Sequence, residues 1–253
     1  MKDVTLIIQG RIDQECYDFY VENYKDFPVI ISTWVGCNID FSNAPNNFTI
    51  IFGSVPKESG PQNMNYQFIS TLNGLNMVKT NYVVKIRGDE YYSNIEYVYR
   101  KCLETPNKIW SSPMFFRWFK YMQYHISDHV IAGTTENIKL MFETAKYNFD
   151  NKILWYLKDD KVHYYWEPEI ILTRSYLMAK EPNRYEKIDG RILMKDNFDI
   201  LNLDNMKSYY IKANIFKTYW RDTFTPERNY SISTIDKLFA SSEKEAYYVP
   251  KKK

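Results

Sequence analysis

The stretch Asn81-Tyr82-Val83-Val84-Lys85-Ile86-Arg87-Gly88-Asp89-Glu90-Tyr91-Tyr92 decides how this chain is read. Its first half is a short β-branched run, which reads as a buried strand. Its second half breaks into Arg87-Gly88-Asp89-Glu90, an acidic strand end. In open α/β sheets, ligands sit outside the carboxyl ends of the strands. Carboxylates there suit a hard divalent cation that shares its coordination with phosphate oxygens. On one strand Lys85, Arg87 and Asp89 share a face, which makes Asp89 a candidate metal ligand and Lys85 and Arg87 candidate phosphate contacts.

Outward from that stretch, strands alternate with helices. Val4 to Ile8 reads as a strand closed by Gln9-Gly10-Arg11. Asp13 is a candidate N-cap, and Cys16, Tyr17, Tyr20, Val21 and Tyr24 recur at helical spacing. Val29 to Thr33 is a second strand running into Trp34-Val35-Gly36, and Phe48 to Phe52 a third, ending at Gly53. After the loop VPKESGPQN, the residues Phe68, Ile69, Leu72, Leu75 and Val78 mark a helix. Ile95, Val98, Tyr99 and Cys102 mark another, closed by Thr105-Pro106. Such alternation predicts an α/β domain with a mostly parallel sheet covered on both faces. Four polar or Gly-rich strand ends then fall on one edge and frame a cleft.

The second half is less regular. The stretch SSPMFFRWFKYMQYHISDHVIAG is aromatic, and its Phe115, Phe116, Trp118 and Phe119 read as core. Thr134 or Thr135 caps a helix through Ile138, Met141, Phe142 and Ala145. Lys152 to Asp160 reads as a short amphipathic helix. Glu167-Pro168-Glu169 opens a further one, with Pro at a permitted first-turn position. The expected division is a catalytic domain over 1–188 and an appendage over 189–253, packed on the same domain.

Composition excludes several classes. The 253 residues fit one large domain. A net charge of +2 leaves no nucleic-acid footprint. The 23 tyrosines match AT-rich coding as well as a sugar-stacking surface. Cys16, Cys37 and Cys102 lack metal spacing, and read as reduced thiols. With no signal-like h-region and no long apolar run, the expectation is a cytoplasmic protein, in the host cytoplasm if the source is viral.

Five ordered pieces resemble one family: QGRI at 9–12, FPVIISTWVG at 27–36, NYQFISTLNGL at 65–75, YVVKIRGDEY at 82–91 and HISDHVIAG at 125–133. Together they resemble the WavE-type lipopolysaccharide synthesis family, over roughly residues 4 to 180. Similar domains also occur in giant DNA viruses. The resemblance implies a GT-A architecture and a glycosyltransferase that takes a nucleotide-diphosphate sugar with Mn²⁺ or Mg²⁺ and passes the sugar to a glycan or other hydroxyl. The family's K-x-R-S-D pattern matches Lys85, Arg87 and Asp89, with Gly88 in place of Ser. Its D-P-G-like turn and N-R-Q element are reduced to Glu58-Ser59-Gly60 and Asn65-Tyr66-Gln67.

On this reading Asp89 and His129 are the metal candidates. Asp128 and Glu169 are the candidate bases, with Glu167 a weaker one. Gln9, Gly10, Arg11, Thr33 and Trp34, at the first two strand ends, hold the nucleotide, and Lys85 and Arg87 face the diphosphate. The structural alternatives are a salt-bridged strand end, a His–Asp hydrogen bond and a dipole-favoured helix acid. The competing functions are an inactive nucleotide- or carbohydrate-binding relative, prompted by Gly88 and Tyr66, and another nucleotide-sugar enzyme.

Overall fold

The computed structural model describes residues 2–113, 119, 123–153, 167–207, 209–211 and 235. The chain begins with β1 (Val4–Gln9), α1 (Gln14–Asn23), β2 (Val29–Trp34) and β3 (Phe48–Gly53). It continues through α2 (Met64–Leu75) and β4 (Tyr82–Arg87), then β5 (Glu90–Tyr92), α3 (Ile95–Glu104), β6 (Ile109–Ser111) and β7 (Val130–Thr134). Next come α4 (Thr135–Asp150), α5 (Pro168–Lys180), α6 (Gly190–Asn197), β8 (Phe198–Ile200) and β9 (Tyr209–Ile211).

The main sheet has seven strands in the order β3-β2-β1-β4-β7-β6-β8. Strands β1 to β4 are parallel neighbours. β7 runs antiparallel to β4 and β6, while β6 and β8 are parallel. β5 and β9 form a separate antiparallel pair. The fold is the expected α/β, GT-A-like class, with β7 the strand that turns against its neighbours.

β1 is buried along its whole length because helices cover both faces. Its side chains alternate. Ile7 points into a core with Phe68, Leu75, Met141, Phe142 and Ile171, from α2, α4 and α5. Leu6 and Ile8 point into the other core with Tyr17, Tyr20, Val98 and Cys102, from α1 and α3. Gly74 of α2 lies so close to Ile7 that a Cβ there would collide with it.

The chain starts in the middle of the sheet, winds outward to β3, and returns beside β1 as β4. That makes the β1–β4 junction a topological switch point, where open α/β sheets leave a crevice. The antiparallel β7 begins at this same edge, so the segment before it, His125 to His129, arrives there too. This is a consequence of strand direction that periodicity does not reveal.

Several sequence expectations differ in detail. Val78 lies beyond the end of α2, half-buried against the core. Gly133 lies within β7. Phe119 is core, whereas Phe115, Phe116, Trp118 and most of the 152–160 segment lie outside the described residues. Past Asp189 the chain supplies α6 and the seventh strand of the main sheet.

Candidate active site at the carboxyl edge

The β1–β4 junction opens into a cavity of about 610 Å³. Gln9, Gly10 and Arg11 come from the end of β1, Trp34 from β2, Arg87 and Asp89 from the end of β4. Gln62 and Asn63 come from the turn just before α2, Tyr66 and Gln67 from its first turn, and His125, Asp128 and His129 from the approach to β7. Glu167, Pro168 and Glu169 open α5.

Local chemistry explains why the backbone delivers these groups. Gly10 has φ of +92°, a conformation that favours glycine. The β4–β5 turn folds tightly onto the β1 end. Gly88 N–H donates to the Gln9 carbonyl at 2.8 Å, and Asp13 N–H donates to the Gly88 carbonyl at 3.3 Å. A Cβ on Gly88 would fall well inside contact distance of the Arg11 carbonyl. A glycine is therefore demanded by this close approach. Gln62 and Asn63 both adopt left-handed backbone, with φ of 50° and 60°, ahead of α2. Non-glycine residues held there carry strain that clusters at functional sites.

Arg87 is the electrostatic hub. It pairs with Asp89 through two bonds, Nε–Oδ1 at 3.0 Å and Nη2–Oδ2 at 3.1 Å. Its Nε lies 3.2 Å from Glu90 Oε1, and Nη1 lies 3.7 Å from Asp128 Oδ2. Burial opposes the guanidinium charge, but Asp128, Glu90 and Asp89 outweigh it and hold the proton more firmly. Asp128 Oδ2 also accepts from Gln67 Nε2 at 2.8 Å. Lys85 has none of its surface exposed, and its Nζ donates to the Asp128 carbonyl at 2.5 Å. Burial lowers the Lys85 pKa, an effect partly countered by Asp128.

Across the cleft, His125 Nε2 lies 3.8 Å from Glu169 Oε2. Burial, and then the nearby Asp128 charge, push the Glu169 carboxyl up to about 8. His125, Glu167 and Glu169 each offer one ligand atom, and these atoms lie within 4.8 Å of one another. That imidazole-plus-carboxylate set suits Mn²⁺ or Zn²⁺, and its carboxylates suit Mg²⁺. The carboxyl groups of Asp89, Asp128, Glu167 and Glu169 line the cavity together with Arg87 and the exposed Arg11, and the buried Lys85 lies behind the wall.

The structure gathers most of the expected site. Gln9, Gly10, Arg11, Trp34, Arg87, Asp89, Asp128, His129 and Glu169 all line the cavity. Gln9 is held by Nε2 donating to Ser70 Oγ at 2.9 Å, and Trp34 stands edge-on to Tyr66 at 5.2 Å. Thr33 and Lys85 lie buried behind the lining. Asp89 is engaged by Arg87, and His129 by Glu90. Among the described residues, the group that converges for a metal is instead His125 with Glu167 and Glu169. The sequence pattern gave no role to Gln62, Asn63 or His125. The first two owe their place to backbone conformation, and His125 to its meeting with the start of α5 across elements, neither of which leaves a local signal.

The fold and this cleft define an α/β protein of the GT-A-like kind, with an acidic, cation-competent site at the carboxyl edge of its parallel strands. The family model described as WavE lipopolysaccharide synthesis matches residues 8–191, and the chain belongs to that family. The family's description carries a coarse, glycosyltransferase-like role in lipopolysaccharide synthesis. None of the curated proteins matches the chain.

Proposed function

We propose that this protein transfers a sugar from a nucleotide-diphosphate donor to a hydroxyl acceptor, assisted by Mn²⁺ or Mg²⁺. The observation that carries this reading is the convergence of His125, Glu167 and Glu169 beside Asp128 and Arg87 in one cavity at the switch point. When bound there, the cation would neutralise the diphosphate as it leaves. Arg87 adds fixed positive charge to the same wall. The ends of β1 and β2, with Trp34, Gln9 and Gly10, hold the nucleoside. Asp128 takes the acceptor's proton, its carboxylate aimed by Gln67 and Arg87. A sugar hydroxyl is too weak an acid to ionise unaided near neutral pH. Glu169 is the second candidate base; with its carboxyl pushed up to about 8, it would act in its ionised form and be a stronger base there than an ordinary carboxylate.

The test combines binding and turnover. Calorimetry with UDP and GDP, with and without Mn²⁺, should show cation-dependent affinity. Asp128→Asn should keep that affinity and lose ~10²–10⁴-fold in donor hydrolysis. Glu167→Gln should lose cation dependence first. Nucleotide binding without sugar release would favour the inactive binding relative, and no binding at all would overturn the proposal. If Asp128→Asn turns over normally while Glu169→Gln binds Mn²⁺ yet is inactive, Glu169 is the base.

A further inference from the structure

Gln9 ends β1 with its side chain toward α2, and a short relay fixes which end of its amide faces the cleft. Ser70 Oγ lies 2.5 Å from the Tyr66 carbonyl oxygen. Two oxygens this close need a hydrogen between them, and the carbonyl has none to give. The single hydroxyl hydrogen of Ser70 is therefore committed to Tyr66. Toward Gln9, at 2.9 Å, Ser70 Oγ can only accept, so the amide nitrogen Nε2 points to it. The amide oxygen Oε1 takes the other side. Gln9 is 9% exposed and lines the cavity. Oε1 carries no hydrogen bond among the described residues and is not closed off from solvent.

The surroundings of that oxygen are aromatic. Ser32 of β2 is the register partner of Gln9, so Trp34, two residues on, projects from the same face of the sheet, nearer the carboxyl edge. Tyr66 lies one helical turn before Ser70 on α2. The Trp34 and Tyr66 rings meet edge to face, 5.2 Å apart at 84°, and both residues line the cavity. An acceptor flanked by aromatic rings suits a flat heterocycle that carries an N–H on its edge.

We propose that Gln9, held by Ser70, selects the nucleobase of the donor, taking one with a ring N–H beside a carbonyl, as in uracil (N3–H) or guanine (N1–H). Cytosine and adenine carry a bare ring nitrogen at the equivalent place, which would face Oε1 lone pair to lone pair. The identity of the bound nucleotide rests on the nucleotide-sugar reading of the cleft; the orientation of the amide does not. A site built to receive a hydrogen rejects the analogue lacking it, because its own polar group is then left unpaired. Ser70 does not touch the ligand; it is a positioning residue that acts through Gln9.

The experiment is calorimetry of the full chain in Mn²⁺ with UDP, GDP, CDP and ADP, repeated with N3-methyl-UDP and N1-methyl-GDP. UDP or GDP should bind about 10–100-fold more tightly than CDP and ADP, and the tighter of the two identifies the base. Its methylated form should lose a similar factor. Gln9→Ala should erase the preference. Ser70→Ala removes only a small buried hydroxyl and frees the amide to turn. It should bring the preference to within ~threefold while the favoured nucleotide still binds with Mn²⁺ dependence. It also keeps the test open should Gln9→Ala fail to fold. Equal affinities across the four nucleotides, a preference for CDP or ADP, or normal binding of the methylated form would overturn the selection and leave the nucleotide site standing. A preference that survives Gln9→Ala overturns the role of Gln9, and one that survives Ser70→Ala overturns the relay that orients it. Binding of none of the four removes the proposed function and this selection together.

Discussion

At the scale of single residues, Gly88 and Glu169 show how the site is made and what it costs. Gly88 sits where the β4–β5 turn presses on the Arg11 carbonyl, leaving no space for a side chain. Gly88→Ala or Gly88→Ser should destabilise by about 1–3 kcal/mol through overpacking. Urea midpoints would measure this, and an unchanged midpoint would show that the turn relaxes freely. Glu169 makes a pH-dependent contribution. Its folded pKa of about 8 lies above the ordinary value of 4.5. Between those values the fold retains a proton that the unfolded chain has lost, so metal-free stability falls as pH rises from about 4.5 to about 8. Midpoints in chelator at several pH values should show that slope, and Glu169→Gln should remove it. A bound divalent cation favours the carboxylate and should flatten the slope in the native sequence.

At the scale of elements, caps and strand direction place the cleft. Thr134 closes β7 and caps α4, its Oγ1 accepting from Asn137 N–H at 3.3 Å. α4 packs on α5, whose first turn carries Glu167 and Glu169, and the two share a bond from Asn148 Nδ2 to Ser175 Oγ at 2.9 Å. Thr134→Ala should cost about 1 kcal/mol, the usual worth of a lost N-cap. Chemical denaturation would read it, and the cleft's affinity for Mn²⁺ should survive, since the cap lies at the other end of β7. Pro168 was legible from sequence as a helix start. By contrast, β6, β7, α6 and β8 were not. Their runs are short or mixed, and β6 and β8 have only three residues each. They become strands by pairing with partners far along the chain, and no local pattern announces that.

At the scale of the whole molecule, the amino-acid order determined a great deal. Buried β-branched runs, helical spacing and Gly-rich strand ends were enough to set the α/β class, the four parallel strands and the edge where the cleft opens. The pieces that resemble the WavE family were equally readable in the linear order. No helix among the described residues is long and apolar enough to cross a membrane. What only the tertiary structure decided is who meets whom at that edge. Asp89, expected to ligate a metal, is engaged by Arg87, while His125 converges with Glu167 and Glu169 from a separate segment. Glu90, two residues from Tyr92 and 39 from His129, joins both. Such meetings depend on the reversed direction of β7 and on the Gly88 turn. Strand direction and side-chain pairing are settled by burial across the folded sheet, where a charged group must find a partner, and the linear sequence records the groups but not those partners.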